Sequence, residues 1–155
     1  MKIAIVGFGE MGKKHAKIWE SMPEAELFAV ADSALAARLE AMNKFGFSLA
    51  VVSIYDVLPV LLPGDLVVIA THAPLHCEQA IVALRHGCHV IVEKPMALTL
   101  EECDRMIAAA DKAGKCLAVH HQWRFTNAAV GVKERIQGGF IGRVHSAKHV
   151  RKEGR

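Results

Sequence analysis

The sequence predicts an α/β fold, a doubly wound parallel sheet with helices on both faces. Short and almost wholly apolar runs recur along the chain, and each is followed by a segment with helical periodicity. Such alternation implies parallel βαβ units joined by right-handed crossovers. The first run, Lys2-Ile3-Ala4-Ile5-Val6, opens directly into Gly7-Phe8-Gly9-Glu10-Met11-Gly12. That loop is a G-x-G-x-x-G pattern with a helix beginning inside it, the opening of a Rossmann-type domain.

The remaining elements follow in order. Met11 to Glu20 carries a helical pattern, ended near Pro23. Residues 26–31 read as a second strand. Ser33 to Phe45 reads as a helix, with Leu35, Leu39 and Met42 at helical spacing and Asp32 or Ser33 as its cap. Leu49 to Ser53 is a short strand. Asp56 to Leu62 is a short helix that Pro59 puts in question. Leu66-Val67-Val68-Ile69-Ala70 is a continuous apolar strand of the kind buried on both faces. Leu75 to His86 is a helix stopped by Gly87, and His89 to Val92 is the next strand. Thr99-Leu100-Glu101-Glu102 is a capping box, and its helix runs to Gly114. Cys116 to Val119 is a further strand. A helix from Asn127 to Gln137 precedes Gly138-Gly139, and Val144 to Val150 alternates as a final strand.

Composition narrows the class. A chain of 155 residues suits one domain, and 52% apolar with 23% charged residues describes a globular protein. The net charge is only +3 and the basic residues are scattered, which argues against a nucleic-acid partner. Lys148, Arg151, Lys152 and Arg155 read as a solvated tail. No apolar run approaches the roughly 20 residues of a membrane span, and the first strand is too short for a secretory core. A cytoplasmic location without membrane contact is therefore expected. Cys77, Cys88, Cys103 and Cys116 show no C-x-x-C spacing and lie in apolar periodic segments, so reduced, buried thiols are expected.

In such a sheet a ligand binds beyond the C-terminal ends of the strands. Those ends carry the glycine loop, Asp32, Thr71-His72, Glu93-Lys94-Pro95 and His120-His121-Gln122. A strand, a tight glycine turn and a helix N-terminus together make an anion site. Gly7 allows the turn, Gly9 lets a pyrophosphate approach the backbone, and Gly12 lets helix and sheet pack closely. A plain tight turn, a flavin site and an S-adenosylmethionine site share this opening. Asp32, twenty residues after Gly12, favours a dinucleotide, because an acid there binds adenosine ribose hydroxyls. A carboxylate repels a 2′-phosphate, and Ser33-Ala34-Leu35-Ala36 offers no arginine to receive one; Arg38, one turn on, is the nearest. The reading is NAD over NADP. Glu93-Lys94-Pro95 is either a surface ion pair at a strand end or a lysine set to polarise a substrate oxygen. Pro95 rigidifies the turn, and its peptide bond is of the type that adopts cis.

These residues resemble the N-terminal half of the glucose–fructose oxidoreductase / inositol dehydrogenase family (Gfo/Idh/MocA). The resemblance runs through Val6 to Gly12 with His15, and Thr71 to Glu78 with His76. It continues through Gly87 to Pro95, Gln122-Trp123-Arg124-Phe125, and Gly139 to Val144. The tripeptide Glu93-Lys94-Pro95 is its most specific part. The resemblance implies NAD(P)-dependent oxidation of a secondary alcohol on a sugar, cyclitol or related polyol. It implies that Gly7, Phe8, Gly9, Glu10, Met11 and Gly12 hold the dinucleotide, with Asp32 and Ser33 on the ribose. Thr71, His72 and Pro74 then line the cofactor path, with His76 at the start of the following helix. Lys94 orients substrate and nicotinamide as the catalytic group, with Glu93 beside it. Gln122, Trp123 and Arg124 lie near the nicotinamide, Trp123 standing where the family often has arginine.

The family carries its substrate pocket and catalytic histidine on a second, mostly β domain, and none of the nine histidines here matches that residue. The expectation is a cofactor-binding domain over 1–140 and the start of a truncated substrate domain over 141–155. Such a chain binds NAD but lacks a complete catalytic set. A stand-alone nucleotide-binding or regulatory module is the alternative. A last strand without neighbours exposes an edge, so self-association into a homo-oligomer is expected. His120 and His121 read as strand-terminating residues that bond locally. His72/His76, His86/His89 and His145/His149 have metal-site spacing, but no acid or cysteine set completes a shell, so no metal is expected.

Overall fold

The computed structural model describes residues 1–148. It divides into two compact units, Met1–His120 and the stretch from His121 onward. The first unit contains β1 (Lys2–Val6), α1 (Glu10–Glu20), β2 (Glu26–Ala31), α2 (Leu35–Phe45), β3 (Leu49–Val51) and α3 (Ile54–Val57). β4 (Leu66–Ile69), α4 (His76–Arg85), β5 (His89–Glu93), α5 (Leu100–Ala113) and β6 (Leu117–His120) complete it. All six strands are parallel, in the order β3-β2-β1-β4-β5-β6. The chain starts in the middle, works outward to β3, then returns to lay β4 against the other side of β1. That reversal opens a crevice at the strands' C-terminal ends.

Strand alternation explains the two covered faces. Ala4 and Val6 of β1, Val67 and Ile69 of β4, and Val90 and Val92 of β5 pack with α3, α4 and α5. Ile3, Ile5, Leu66 and Val68 pack on the other face with Ala16 of α1 and Ala41 of α2. Successive side chains of a strand point oppositely, so a strand buried on both sides must be apolar throughout.

The helices largely begin and end where local chemistry says. Thr99 Oγ1 accepts the Glu102 N–H at 3.2 Å while Glu102 Oε2 accepts the Thr99 N–H at 3.3 Å, the expected capping box. Gly114 ends α5 with φ +60°, and Gly87 follows α4 with φ +88°. Two helix readings need correction. α2 has Ala34, not Asp32 or Ser33, at its N-cap, and the Asp32 carboxylate accepts the N–H of Phe8 and that of the cap residue Ala34 itself. Its Leu35, Leu39 and Met42 are 61%, 50% and 44% exposed, and it packs instead through Ala41. The small alanine face lets α2 approach the sheet, where leucines would hold it off. The short helix begins at Ile54, under a Ser53–Asp56 capping box, and Pro59 sits in the first positions of a 3-10 turn, Leu58–Val60. There the missing N–H costs little.

The thiols are not uniformly buried. Cys77 and Cys88 are buried and Cys103 partly so, whereas Cys116 is exposed, standing just before β6 at the sheet edge.

The second unit holds a 3-10 turn, Gln122–Phe125, and α6 (Asn127–Gln137), where Thr126 Oγ1 accepts the Ala129 N–H at 3.3 Å. The strand expected over 144–150 is not seen in residues 144–148, which pair with no strand, and His149 and Val150 lie outside the described residues. An alternating pattern makes a strand only where a ladder partner exists. Arg151, Lys152 and Arg155 of the expected tail also lie outside the described residues. Among the described residues, no helix is long and apolar enough to cross a membrane.

Candidate functional site

The glycine loop takes its shape from three different constraints. Gly7 has φ +89°, and a Cβ there would lie 2.7 Å from the Ala70 carbonyl carbon and oxygen. A Cβ on Gly12 would overlap the Gly7 carbonyl oxygen, so only glycine lets α1 start this close to the turn. Gly9 has no neighbouring atom within 4 Å of a would-be Cβ and caps α1 with its backbone. Its openness is what a bulky anion needs to reach the helix N-terminus.

Around this loop lies a crevice of about 600 Å³. Nine of the expected cofactor residues line it: Gly7, Gly9, Glu10, Met11, Asp32, Ser33, Thr71, His72 and Pro74. Val52, Ser53, Tyr55, Glu78 and Gln79 line it too, although the sequence reading did not single them out. The signal for Val52 and Ser53 was their position after β3, whose C-terminal end must belong to the crevice in a parallel sheet. Thr71 Oγ1 donates to Gln79 Oε1 at 2.6 Å, which ties the loop after β4 to α4.

Asp32 stands at the crevice with both carboxylate oxygens oriented. Oδ2 accepts the Phe8 N–H at 2.7 Å and Oδ1 accepts the Ala34 N–H at 2.8 Å. This corrects the expectation for Phe8. Its N–H is taken by Asp32, and its ring is buried edge-on against Phe45 and Phe47, so Phe8 builds the loop from below. Arg38 donates through one guanidinium nitrogen to the Asp32 carbonyl at 2.6 Å and the Ser33 carbonyl at 3.0 Å.

At the end of β5 the pattern divides. Lys94 is exposed, and it has no ion pair among the described residues. Glu93 is turned inward and is only 4% exposed. Its Oε1 lies 2.9 Å from His15 Nε2 and 2.6 Å from His120 Nδ1, while Oε2 has no hydrogen-bond partner among the described residues. The Glu93 side chain is thus occupied by two histidines. This also corrects the reading of His120, whose partner is on the neighbouring strand rather than local. Burial pushes the Glu93 carboxyl up, but the hydrogen bonds from His120 and His15 outweigh it and hold it below the ordinary carboxylate value. Burial pushes the His15 imidazole below its ordinary value, against the opposing hydrogen bond from Glu93. Both shifts favour a neutral His15 ring beside a Glu93 carboxylate.

His15, Glu93 and His120 are also side chains of metal-ligand type, their ligand atoms all within 4.8 Å of one another. Both ring nitrogens sit at hydrogen-bond distance from one oxygen, the pattern of a carboxylate accepting two N–H groups. The histidine pairs suggested by spacing go separate ways. His76 is buried, with Nδ1 at 2.9 Å from the Pro95 carbonyl and Nε2 at 3.0 Å from the Thr71 carbonyl. It therefore bears on the crevice through the two loops it joins. His86 contacts the Leu61 carbonyl, and His89 Nδ1 accepts the Cys116 N–H. The Lys94–Pro95 peptide is cis. Trp123 and Arg124 stand on the 3-10 turn of the second unit, where the Arg124 N–H donates to the His121 carbonyl at 3.0 Å.

The residues present fit a dinucleotide. The open backbone at Gly9 and the first turn of α1 suit a pyrophosphate, and an oriented carboxylate stands at the end of β2. Comparison with known proteins agrees. Residues 1–121 match the model of the Gfo/Idh/MocA oxidoreductase family, described as an NAD-binding Rossmann fold. The chain is 31% identical over 149 residues to the D-glucoside 3-dehydrogenase of Escherichia coli, covering 94% of this chain and 41% of that one. Scyllo-inositol dehydrogenase from Lactobacillus casei, solved with NAD(H) and scyllo-inositol, superposes with a TM-score of 0.86 at 26% identity, over 92% of this chain and 42% of its own. The WlbA dehydrogenase from Chromobacterium violaceum, solved with NADH and UDP-GlcNAcA, gives 0.85 at 34% identity, over 92% and 41%. The chain thus spans about two fifths of these relatives' length. A parallel sheet ordered around a glycine loop, with Asp32 at the end of β2 and Lys94 at the end of β5, belongs to the Gfo/Idh/MocA oxidoreductases, and this chain is a member of that family through its NAD-binding Rossmann domain.

Proposed function

We propose that this chain binds NAD, in preference to NADP, in the crevice between the glycine loop and Asp32. We propose further that it serves oxidation of a secondary alcohol on a sugar, cyclitol or related polyol. The observation that carries the cofactor reading is Asp32, held by two backbone N–H groups with lone pairs left for ribose hydroxyls. A 2′-phosphate would meet that carboxylate, and the nearest arginine, Arg38, is drawn onto the Asp32 and Ser33 carbonyls. Gly7, Gly9 and Gly12 shape the pyrophosphate seat, with Glu10 and Met11 in the first turn of the helix behind it. Ser33 extends the ribose end, and Thr71, His72 and Pro74 line the path toward the nicotinamide. When bound, the nicotinamide supplies the hydride acceptor. Lys94, exposed at the end of β5, orients the substrate oxygen and offsets charge developing on it. A cytoplasmic location suits this chemistry.

Titration of the purified chain with NADH and NADPH, followed by nicotinamide fluorescence, tests the reading. Saturable binding with the lower Kd for NADH is expected. No binding of either at millimolar concentration overturns the cofactor assignment, and a lower Kd for NADPH overturns the role of Asp32.

A further inference from the structure

Lys94 follows directly on a side chain whose burial needs a reason. A carboxylate removed from water costs stability unless its oxygens are met by donors, and an apolar residue of similar volume would serve packing as well or better. Glu93 is 4% exposed, and both of its donors converge on the single oxygen Oε1. One donor comes from α1, directly behind the glycine loop, and the other from the last residue of β6. The rings of His15 and His120 lie with centroids 4.6 Å apart, so the carboxylate is held by a pair of packed rings rather than by one mobile group. Two donors on one oxygen restrict the torsions of the Glu93 side chain, and with them the backbone from which Lys94 projects.

We infer that His15 and His120 are positioning residues for Lys94, acting through the Glu93 carboxylate. Neither ring is among the residues lining the crevice around the glycine loop. They link the glycine-loop helix, the end of β5 and the end of β6, so that the lysine is set relative to the anion site at the start of α1. The inference rests on the cofactor reading proposed above, in which the lysine meets the nicotinamide end of the ligand and Asp32 meets the adenosine end.

Paired ligands and opposed substitutions separate this role from packing. NADH carries both ends of the dinucleotide, while ADP-ribose lacks the nicotinamide. His120→Phe keeps a ring of similar size but loses the donor. His120→Asn loses the ring but keeps an N–H close to the place of Nδ1. Kd values for both ligands are measured on the full chain, with EDTA present so that no metal ion occupies the three groups. His120→Phe is expected to weaken NADH about fivefold, the scale of one positioned hydrogen bond, with ADP-ribose within about twofold of the unsubstituted chain. His120→Asn is expected to stay within about twofold for both ligands. His15→Leu and His15→Gln repeat the contrast from the other side, and serve if a His120 variant fails to fold. Equal loss of both ligands, or tolerance of Phe with failure of Asn, overturns the positioning role and leaves packing. NADH affinity unchanged in both donor-free variants also overturns it. If the unsubstituted chain binds neither ligand, the cofactor reading itself falls.

Discussion

Asp32 accepts the backbone N–H of Phe8 at 2.7 Å, and this bond joins the end of β2 to the glycine loop 24 residues earlier. The same carboxylate takes the Ala34 N–H at 2.8 Å, so one side chain organises both the anion turn and the entry to α2. Its candidate ligand role and its structural role are inseparable.

Replacing Asp32 with Ala should therefore change two quantities at once. The partly buried Phe8 N–H loses its acceptor, at a cost of about 1–3 kcal/mol in stability. NADH should weaken about tenfold or more while NADPH weakens less, because the repulsive charge has gone with the attractive one. Thermal unfolding and paired titrations check both. An unchanged NADH to NADPH ratio would show that Asp32 does not set the preference.

The glycines of the loop should part company on mutation. Gly12→Ala drives a Cβ into the Gly7 carbonyl and should cost about 1–3 kcal/mol or more, seen as a lower Tm. Gly9→Ala meets no atom within 4 Å and should leave Tm nearly unchanged, yet weaken NADH by blocking the approach to the backbone. Calorimetry with cofactor titration on both variants decides it, and a Gly9→Ala chain that binds NADH normally would remove the pyrophosphate from that position.

Acidification should destabilise the fold in two stages. Burial holds folded His15 below its ordinary value of 6.5, so the unfolded chain takes up that proton first and stability falls as pH drops through about 6.5. Glu93 is held below its ordinary 4.5, chiefly because the His120 and His15 hydrogen bonds outweigh its burial. Its contribution is complete above 4.5 and is lost as pH falls through the folded value. The difference in Tm between the unsubstituted chain and His15→Gln, followed from pH 8 to pH 5, isolates the first stage. A difference that does not vary with pH would mean that His15 is not buried as a neutral ring.

Thiol reactivity should rank by position. Cys116 is exposed and should react quickly with an aromatic disulfide reagent, with Cys103 slower. Burial pushes the Cys88 thiol up to about 11, and Cys77 is also buried and raised, so both should react only on unfolding. Peptide mapping after brief labelling gives the order. Early label on Cys88 would contradict its placement between α4 and β5.

Much of the fold was legible because its signals are local. An apolar run bounded by glycine and polar residues is a buried strand wherever it lies, and Thr99 with Glu102 starts a helix whatever surrounds it. The strand expected over 144–150 is not seen in residues 144–148, because alternation says nothing about whether a partner strand is present. Leu35, Leu39 and Met42 marked the helix but not the face that it buries. Helical spacing identifies a stripe, but which stripe faces the sheet depends on how closely the helix can approach.

The sequence by itself determined the sheet class, the glycine loop with Asp32, and the placing of Lys94 at a strand end, since each follows from residue type and short-range spacing. Tertiary structure alone decided that Phe8 supports the loop through Asp32, that His76 joins the Thr71 and Pro95 loops, and that Glu93 turns inward to His15 and His120. These partners lie 19 to 78 residues apart in most cases. No local pattern encodes a meeting that exists only once parallel strands have brought their ends to one edge of the sheet.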